Sequence, residues 1–338
     1  MKKKLFIIEL FHHHECIENP YQFHTKKGYD VKIITTSFVG SNLIQIPQND
    51  IYIVKNSSRV KFNSLKSSQK IPYTIKEFYN NIKIIKEIHR LIKKENPEYL
   101  HINTVETPFA IPLLIYLQFV KTPLILTLHN TNRLKVGFKK YIWFDFLIKL
   151  IIKKAKKIVL LAKYLKLNSK YQHKVIYLNN RPITTKTKTK FPKTTFVITG
   201  GLNIAEKDNE LIFKHFSILL QKNPKLQSKT QLILLSKITP EMTKLIKKYN
   251  LEKITRMYSA FVEEKEFEKV MLQSHYVILS TKENGIYGKY KISGSFGDAV
   301  GFKLPILINE HFAPQYKDKN VIRFTDDNLH KVLKKLIT

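Results

Sequence analysis

A strand–helix alternation that runs along the chain twice limits what this sequence can fold into. Short apolar runs at residues 5–10, 31–35, 51–54, 99–102, 124–128 and 158–162 are separated by stretches with three- and four-residue apolar spacing. The stretch 75–94 predicts a long amphipathic helix with Phe78, Ile82, Ile85 and Ile92 toward a core, and 109–119 predicts a short apolar one. The alternation resumes with strands at 196–199, 231–235, 276–279 and 306–308. Apolar strands separated by helices imply a parallel sheet covered on both faces. The expected fold class is therefore α/β, with a doubly wound parallel sheet in each half. Between the halves, Arg181-Pro-Ile-Thr-Thr-Lys-Thr-Lys-Thr-Lys-Phe-Pro192 lacks apolar periodicity. The expected division is an N-terminal domain 1–180, a linker 181–194 and a C-terminal domain 195–338. At 338 residues each half is long enough for its own core.

The formal net charge of +33 raises a nucleic-acid reading, which the residue types argue against. The excess is almost all lysine, with six arginines, whereas base and phosphate recognition leans on the arginine fork. The lysines are spread along the chain among Ile and Asn, so no specific nucleic-acid partner is expected. Cys16 is the single cysteine, so neither an internal disulfide nor a cysteine-based zinc site is expected. A reducing cytoplasm is the expected setting. The start, Met1 to Leu10, is broken by Glu9 and reads as a first strand rather than a signal peptide. The apolar stretch 108–120 is too short to span a bilayer.

Two segments of the C-terminal half have the character of phosphate sites. Lys291-Ile-Ser-Gly-Ser-Phe-Gly-Asp-Ala-Val-Gly-Phe-Lys-Leu-Pro-Ile-Leu-Ile308 predicts a small-residue turn, a helix opening near Ser295 and a buried strand. Ser293, Gly294, Ser295 and Gly297 leave backbone N–H groups uncovered at a helix N-terminus, where anions are favoured. Asp298, one turn in, is placed to accept from sugar hydroxyls. Earlier, the strand at 195–199 runs into Gly200-Gly201 and a polar stretch ending at Lys207. Glycine permits close backbone approach, and Lys207 is positioned to reach a diphosphate. Neither a dinucleotide Gly-x-Gly-x-x-Gly nor a P-loop Gly-Lys-Ser/Thr is present.

Several weak motifs, in order along nearly the full length, resemble those of the GT-B glycosyltransferases. Glu98-Tyr-Leu-His-Ile-Asn103 resembles their D-x-x-H-x-H strand, and Thr127-Leu-His-Asn130 their T-x-H-D strand end. Ala155-Lys-Lys-Ile-Val-Leu-Leu-Ala162 is similar to A-D-x-I-V-x-x-S. Gly200-Gly201 to Lys207 is similar to the glycine loop and its lysine, and Asp298 to Pro305 to E-A-x-A-x-G-x-P. The chain departs from the pattern where Asp298 replaces glutamate and Tyr290 stands where an acid is expected. Glu283 matches that acid only if about seven residues are inserted, and Leu202 or Asn203 stands where an arginine is usual. The ending is closer to S-G-x-x-x-x-A-x-x-x-G-x-P, as in some bacterial surface-polysaccharide transferases. The chain also resembles the retaining glycogen-synthase and mannosyltransferase-like class, without the motifs deciding between retention and inversion.

The resemblance implies two Rossmann-like domains facing a central cleft, with acceptor binding in the first and nucleotide-sugar binding in the second. It implies transfer from a UDP- or GDP-sugar to a glycan or lipid-linked acceptor in cell-surface polysaccharide or glycolipid synthesis, with no cofactor required. Gly200, Gly201, Lys207, Glu283, Ser293, Gly294, Ser295 and Asp298 would hold the donor, and His129 would act at the sugar. His129 follows a buried strand and precedes polar residues; a structural histidine is the alternative. Glu15, in His12-His-His-Glu-Cys16, is a candidate base for an acceptor hydroxyl. No metal is expected, since adjacent histidines cannot all face one ion on a helix, although His12 and Glu15 could share a face. The stretch 139–157 predicts a helix with Tyr141, Phe144, Ile148, Ile151 and Ala155 inward. Lys139, Lys149, Lys153, Lys156 and Lys157 then lie outward beside Ile142 and Phe146, a face suited to an anionic membrane surface. The expected location is the cytoplasmic side of a membrane, held peripherally. The competing readings are a non-enzymatic lysine-rich binder of nucleic acid or membrane, and an inactive GT-B relative.

Overall fold

The computed structural model describes residues 2–11, 13–43, 45–55, 67–131, 142–201, 206–283, 285–312, 314 and 318–338. His12, Leu202, Asn203, Lys139 and Tyr141, used in the sequence reading, lie outside the described residues. The chain divides into two compact units, 1–182 and 183–338.

In the first unit, seven strands form one sheet among the described residues. They are β1 (Lys4–Glu9), β2 (Asp30–Thr36), β3 (Ile51–Lys55), β4 (Tyr99–Ile102), β5 (Leu124–Leu128), β6 (Lys157–Leu160) and β7 (Val175–Tyr177). Their order is β3-β2-β1-β4-β5-β6-β7, and every pairing is parallel. The chain returns between strands through α1 (Glu18–Lys26), α2 (Ser37–Gly40), α3 (Ser67–Glu95), α4 (Ile111–Phe119) and α5 (Ile142–Lys154). The order reverses at β1, so the carboxyl ends of β1 and β4 flank a switch point, where such sheets open a crevice. Leu5, Phe6, Ile7 and Ile8 are buried along β1, and all of β5 is buried. Each such side chain contributes about 1.5–3 kcal/mol by leaving water.

The second unit repeats the plan with β8 (Thr194–Thr199), β9 (Thr230–Lys237), β10 (Thr255–Tyr258), β11 (Tyr276–Leu279), β12 (Ile306–Asn309) and β13 (Val321–Phe324). The order is β10-β9-β8-β11-β12-β13, again all parallel, with the switch point at β8 and β11. Its helices are α6 (Asn209–Lys222), α7 (Pro240–Lys248), α8 (Glu264–Gln273), α9 (Gly294–Gly301) and α10 (Leu329–Ile337). Asp208 caps α6 by accepting from Leu211 N, and Thr239 caps α7 by accepting from Met242 N. Phe196, Phe213, Phe216, Leu234, Ile278 and Leu333 share its core. The stretch read as a linker is stitched to this unit: Thr184 N donates to Gly301 O, and Phe191 N to Gln273 O. The Lys186 ammonium meets the Glu268 carboxylate at 2.7 Å.

Two helical expectations are corrected. On α3, Phe78 is 47% and Ile82 39% exposed, while Asn81, Ile84 and Ile88 are buried. Isoleucines at 82, 84, 85, 88 and 92 leave the facing ambiguous by about one position. Packing on α4 and the bond from Asn81 Nδ2 to Phe109 O at 3.0 Å select the Ile84–Ile88 face. The basic helix expected to reach 157 ends at Lys154. Ala155 N still bonds to Ile151 O, but Lys156 N turns to Leu124 O and joins the sheet, so Lys157 begins β6. Lys154 instead caps α4, its Nζ donating to the carbonyls of Leu117, Gln118 and Val120. From the corrected face, Ile88→Ala should cost about 2–5 kcal/mol in urea unfolding, and Phe78→Ala less than about 1 kcal/mol. Equal losses would return the core to the Phe78 face.

Candidate functional site

In the second unit the polar chemistry gathers where β8 and β11 end. Thr199 closes β8, and Gly200 turns the chain with φ +71°, a conformation that favours glycine. A Cβ at Gly200 would also lie 3.4 Å from Lys207 Nζ. Lys207 is only 4% exposed. Its ammonium donates to Thr199 O at 3.0 Å and to Ser295 Oγ at 3.3 Å. Ser295 Oγ donates to the same carbonyl at 2.8 Å, and Thr199 Oγ1 donates to Asp298 Oδ2 at 2.8 Å. Gly200, Lys207, Ser295 and Asp298 are thus brought together. Burial pulls the lysine down to about 8, against the pull of Asp298 and Glu206.

The N-terminus of α9 supplies the second half of this group. Phe296 N and Gly297 N bond to Ser293 O at 3.0 and 3.3 Å, so the Gly294 and Ser295 N–H groups are the ones without an intrahelical acceptor. Ser293 Oγ is buried and makes no hydrogen bond among the described residues. Among the described residues, a Cβ built at Gly201 or Gly294 meets no atom within 4 Å. A buried ammonium beside a helix N-terminus and bare glycine backbone is chemistry for an anion. Glu283 is exposed, its carbonyl accepts from Lys289 Nζ at 2.8 Å, and among the described contacts it takes no part in this group. The stretch around it folds back on Glu206, through Lys282 N to Glu206 O at 3.2 Å and through Tyr287, whose phenol burial and Glu206 push up to about 12.

In the first unit the carboxyl ends of β1, β4 and β5 carry a second polar cluster. Glu9 closes β1 fully buried. Its Oε1 accepts from Phe11 N at 2.8 Å, and its Oε2 accepts from Asn103 Nδ2 at 2.8 Å and Thr104 Oγ1 at 2.5 Å. Glu106 Oε1 accepts from the backbone N–H of His129 at 2.6 Å and of Asn130 at 3.0 Å. His129 is buried, and its Nε2 lies 2.8 Å from Asn103 O, which places the ring proton on Nε2 and the lone pair on Nδ1. Burial and the neighbouring His13 hold this imidazole below its ordinary value.

Glu15 is tied to His13, whose Nδ1 lies 3.0 Å from Glu15 Oε1, and His13 stacks on His129 with centroids 4.3 Å apart. Burial raises the Glu15 carboxyl, but His13 and His14 outweigh it and hold the group far below the usual range. So low a carboxylate is a weak base, and its evident work is to orient His13. Burial lowers His13, yet the Glu15 bond with the Glu9 and Glu106 charges carries it above the ordinary imidazole value. His101, in the strand that resembles the D-x-x-H-x-H motif, is a core residue bonded to His24 Nε2 at 3.0 Å and Thr127 Oγ1 at 2.8 Å.

The functional candidates that the sequence reading missed are Glu9, His13, Glu106 and Thr199. Glu9 was read only as a polar break in an apolar run, although an acid at the end of a buried strand is itself a signal.

No protein-family model and no curated protein sequence matches the chain. Solved structures do. A UDP-N-acetylglucosamine 2-epimerase is 11% identical with a TM-score of 0.58, over 100% of this chain and 88% of that one. HepE of Anabaena in complex with UDP is 10% identical with a TM-score of 0.58, over 99% and 90%. Sucrose-phosphate synthase of Thermosynechococcus elongatus is 9% identical with a TM-score of 0.56, over 99% and 90%. At such identities the likeness establishes the fold: two parallel-sheet α/β units of GT-B-like type.

Proposed function

We propose that the protein is a nucleotide-sugar-dependent glycosyltransferase, with the donor held by unit 183–338 and a glycan or lipid-linked acceptor by unit 1–182. The observation that carries this reading is the convergence of Lys207, Ser295 and the α9 N-terminus beside bare glycine backbone. A donor diphosphate, UDP or GDP in origin, would place its charge on the Lys207 ammonium and the Gly294 and Ser295 N–H groups, and lie against Gly201. Asp298, near the same group, is the candidate for ribose hydroxyls, and Glu283 stays a weaker candidate on the adjoining loop. HepE, a structure of the same fold, was solved with UDP, which supports this ligand class. His129 would act at the transferred sugar, with a neutral ring and Nδ1 as acceptor.

The transfer breaks the bond between the sugar carbon and the diphosphate oxygen and forms one to the acceptor oxygen. The diphosphate leaves with the electron pair, and the acceptor hydroxyl proton goes to a base. Fixed positive groups at the leaving oxygen stabilise that developing charge. A second reading, epimerisation of the nucleotide sugar, is favoured by the carboxylates and imidazoles gathered at the ends of β1, β4 and β5. It predicts donor conversion with no acceptor present.

Surface polysaccharide or glycolipid is the proposed product class, and the cytoplasmic membrane face the proposed place of work. No helix among the described residues is long and apolar enough to cross a membrane. Lys149, Lys153 and Lys156 are exposed, and Phe146 is 50% exposed on α5, as surface contact would need. Lysines near an anionic leaflet contribute about 1 kcal/mol each.

Two outcomes follow. Lys207→Ala should weaken UDP or GDP binding in calorimetry by about 1.5–3 kcal/mol, the worth of a charge-assisted hydrogen bond. Unchanged affinity would remove Lys207 from the site. Replacing Lys149 and Lys153 by Glu should reduce co-sedimentation with phosphatidylserine vesicles at least tenfold at low salt. Wild-type protein that ignores such vesicles would make α5 an ordinary solvated helix.

A further inference from the structure

The segment after β1 and the residue after β5 meet in the first unit. One imidazole nitrogen each from His13 and His129 and the Cys16 thiol sulfur lie within 4.8 Å of one another. Three consecutive histidines could not share an ion, but here the run contributes His13 and Cys16, and a different strand end contributes His129. Nitrogen, nitrogen and sulfur are a donor set for a borderline divalent ion of the zinc class.

The surroundings fit such an ion in three ways. First, each histidine has the outer hydrogen bond that fixes a metal-binding ring: His13 Nδ1 to the Glu15 carboxylate at 3.0 Å, and His129 Nε2 to the Asn103 carbonyl at 2.8 Å. In the neutral rings this puts the lone pairs on His13 Nε2 and His129 Nδ1. Second, Glu9, Glu15 and Glu106 all act electrostatically on His13, so negative charge already surrounds the cluster. Third, Glu106 Oε2 is buried and has no hydrogen-bond partner among the described residues. A buried carboxylate oxygen left in this way is costly unless positive charge is near.

We propose that His13, Cys16 and His129 form a three-ligand site for a zinc-class divalent cation, joining the ends of β1 and β5. The ion replaces the thiol proton and any proton held on His13 Nε2, both of which leave to solvent, and the three ligand atoms draw in to roughly 3.5 Å from one another, as bond lengths of about 2.0–2.3 Å require. The bound ion would occupy the His129 Nδ1 lone pair. Metal binding and proton transfer at that atom therefore exclude each other.

Cobalt(II) tests the site optically. Cys16 is the only cysteine, so a thiolate-to-cobalt charge-transfer band can arise nowhere else in the protein. Chelator-treated full-length protein titrated with Co²⁺ should develop the band to saturation at one equivalent, and Zn²⁺ should bleach it. Cys16→Ser should lack the band and also lose the rise in Tm that Zn²⁺ produces in wild type. Should Cys16→Ser fail to fold, His13→Gln keeps the thiol and should weaken saturation at least tenfold. No band with several equivalents of Co²⁺, or an undiminished affinity in His13→Gln, overturns the proposal. Neither readout involves nucleotide or turnover, so the site stands or falls apart from the transferase reading.

Discussion

Parallel pairing governs this molecule. Every pairing among the described strands of both units is parallel, so the chain must return through a crossover after each strand, and all strands of one sheet end on the same edge. The apolar strand bodies stay in the core. The polar residues that close them, Glu9, Asn103, His129, Thr199 and Ser280, are delivered to that edge and buried there. Burial is what gives these residues unusual properties. An ammonium in water would be an ordinary lysine; enclosed at the end of β8, Lys207 is pulled down to about 8 and its donors are aimed.

The two units use that edge differently. The second presents positive charge: Lys207 and the α9 N-terminus, with Asp298 held back by Thr199. The first presents negative charge and imidazole: Glu9, Glu15 and Glu106 around His13 and His129. The first kind of edge suits a phosphate, and the second suits hydroxyl chemistry or a cation. Buried charges are costly unless paired, so each edge is internally bonded through backbone groups as well as side chains. Those bonds fix orientation before any ligand arrives, which limits the reorganisation a reaction would require.

Much of this was legible in the sequence because it rests on local pattern. Buried strands such as β1 and β5 are continuous apolar runs, and Gly200-Gly201 and Ser293-Gly294-Ser295 announce turns by residue type. Edge strands were less legible: β7, β10 and β13 expose part of their length, so their apolar runs are short. The facing of α3 was misjudged because five isoleucines fit two adjacent helical faces, and a contact with Phe109 decides between them. The roles of His13 and Glu106 depend on contacts between strand ends far apart in the chain, which no local pattern encodes. Glu15 looked like a base from its position alone; only its bond to His13 shows why it would be a weak one.

The central claim is that the lowered ammonium of Lys207 is the seat of a nucleotide diphosphate. An anion beside that group favours its protonated form, so affinity is highest below pH 8 and weakens as pH rises through it. The direct measurement is calorimetry of UDP and GDP binding at pH 8 in two buffers of different ionisation enthalpy. With the free lysine at about 8, binding should take up about half a proton, and Lys207→Ala should take up none. Binding without proton uptake, or uptake that persists in Lys207→Ala, would contradict the assignment.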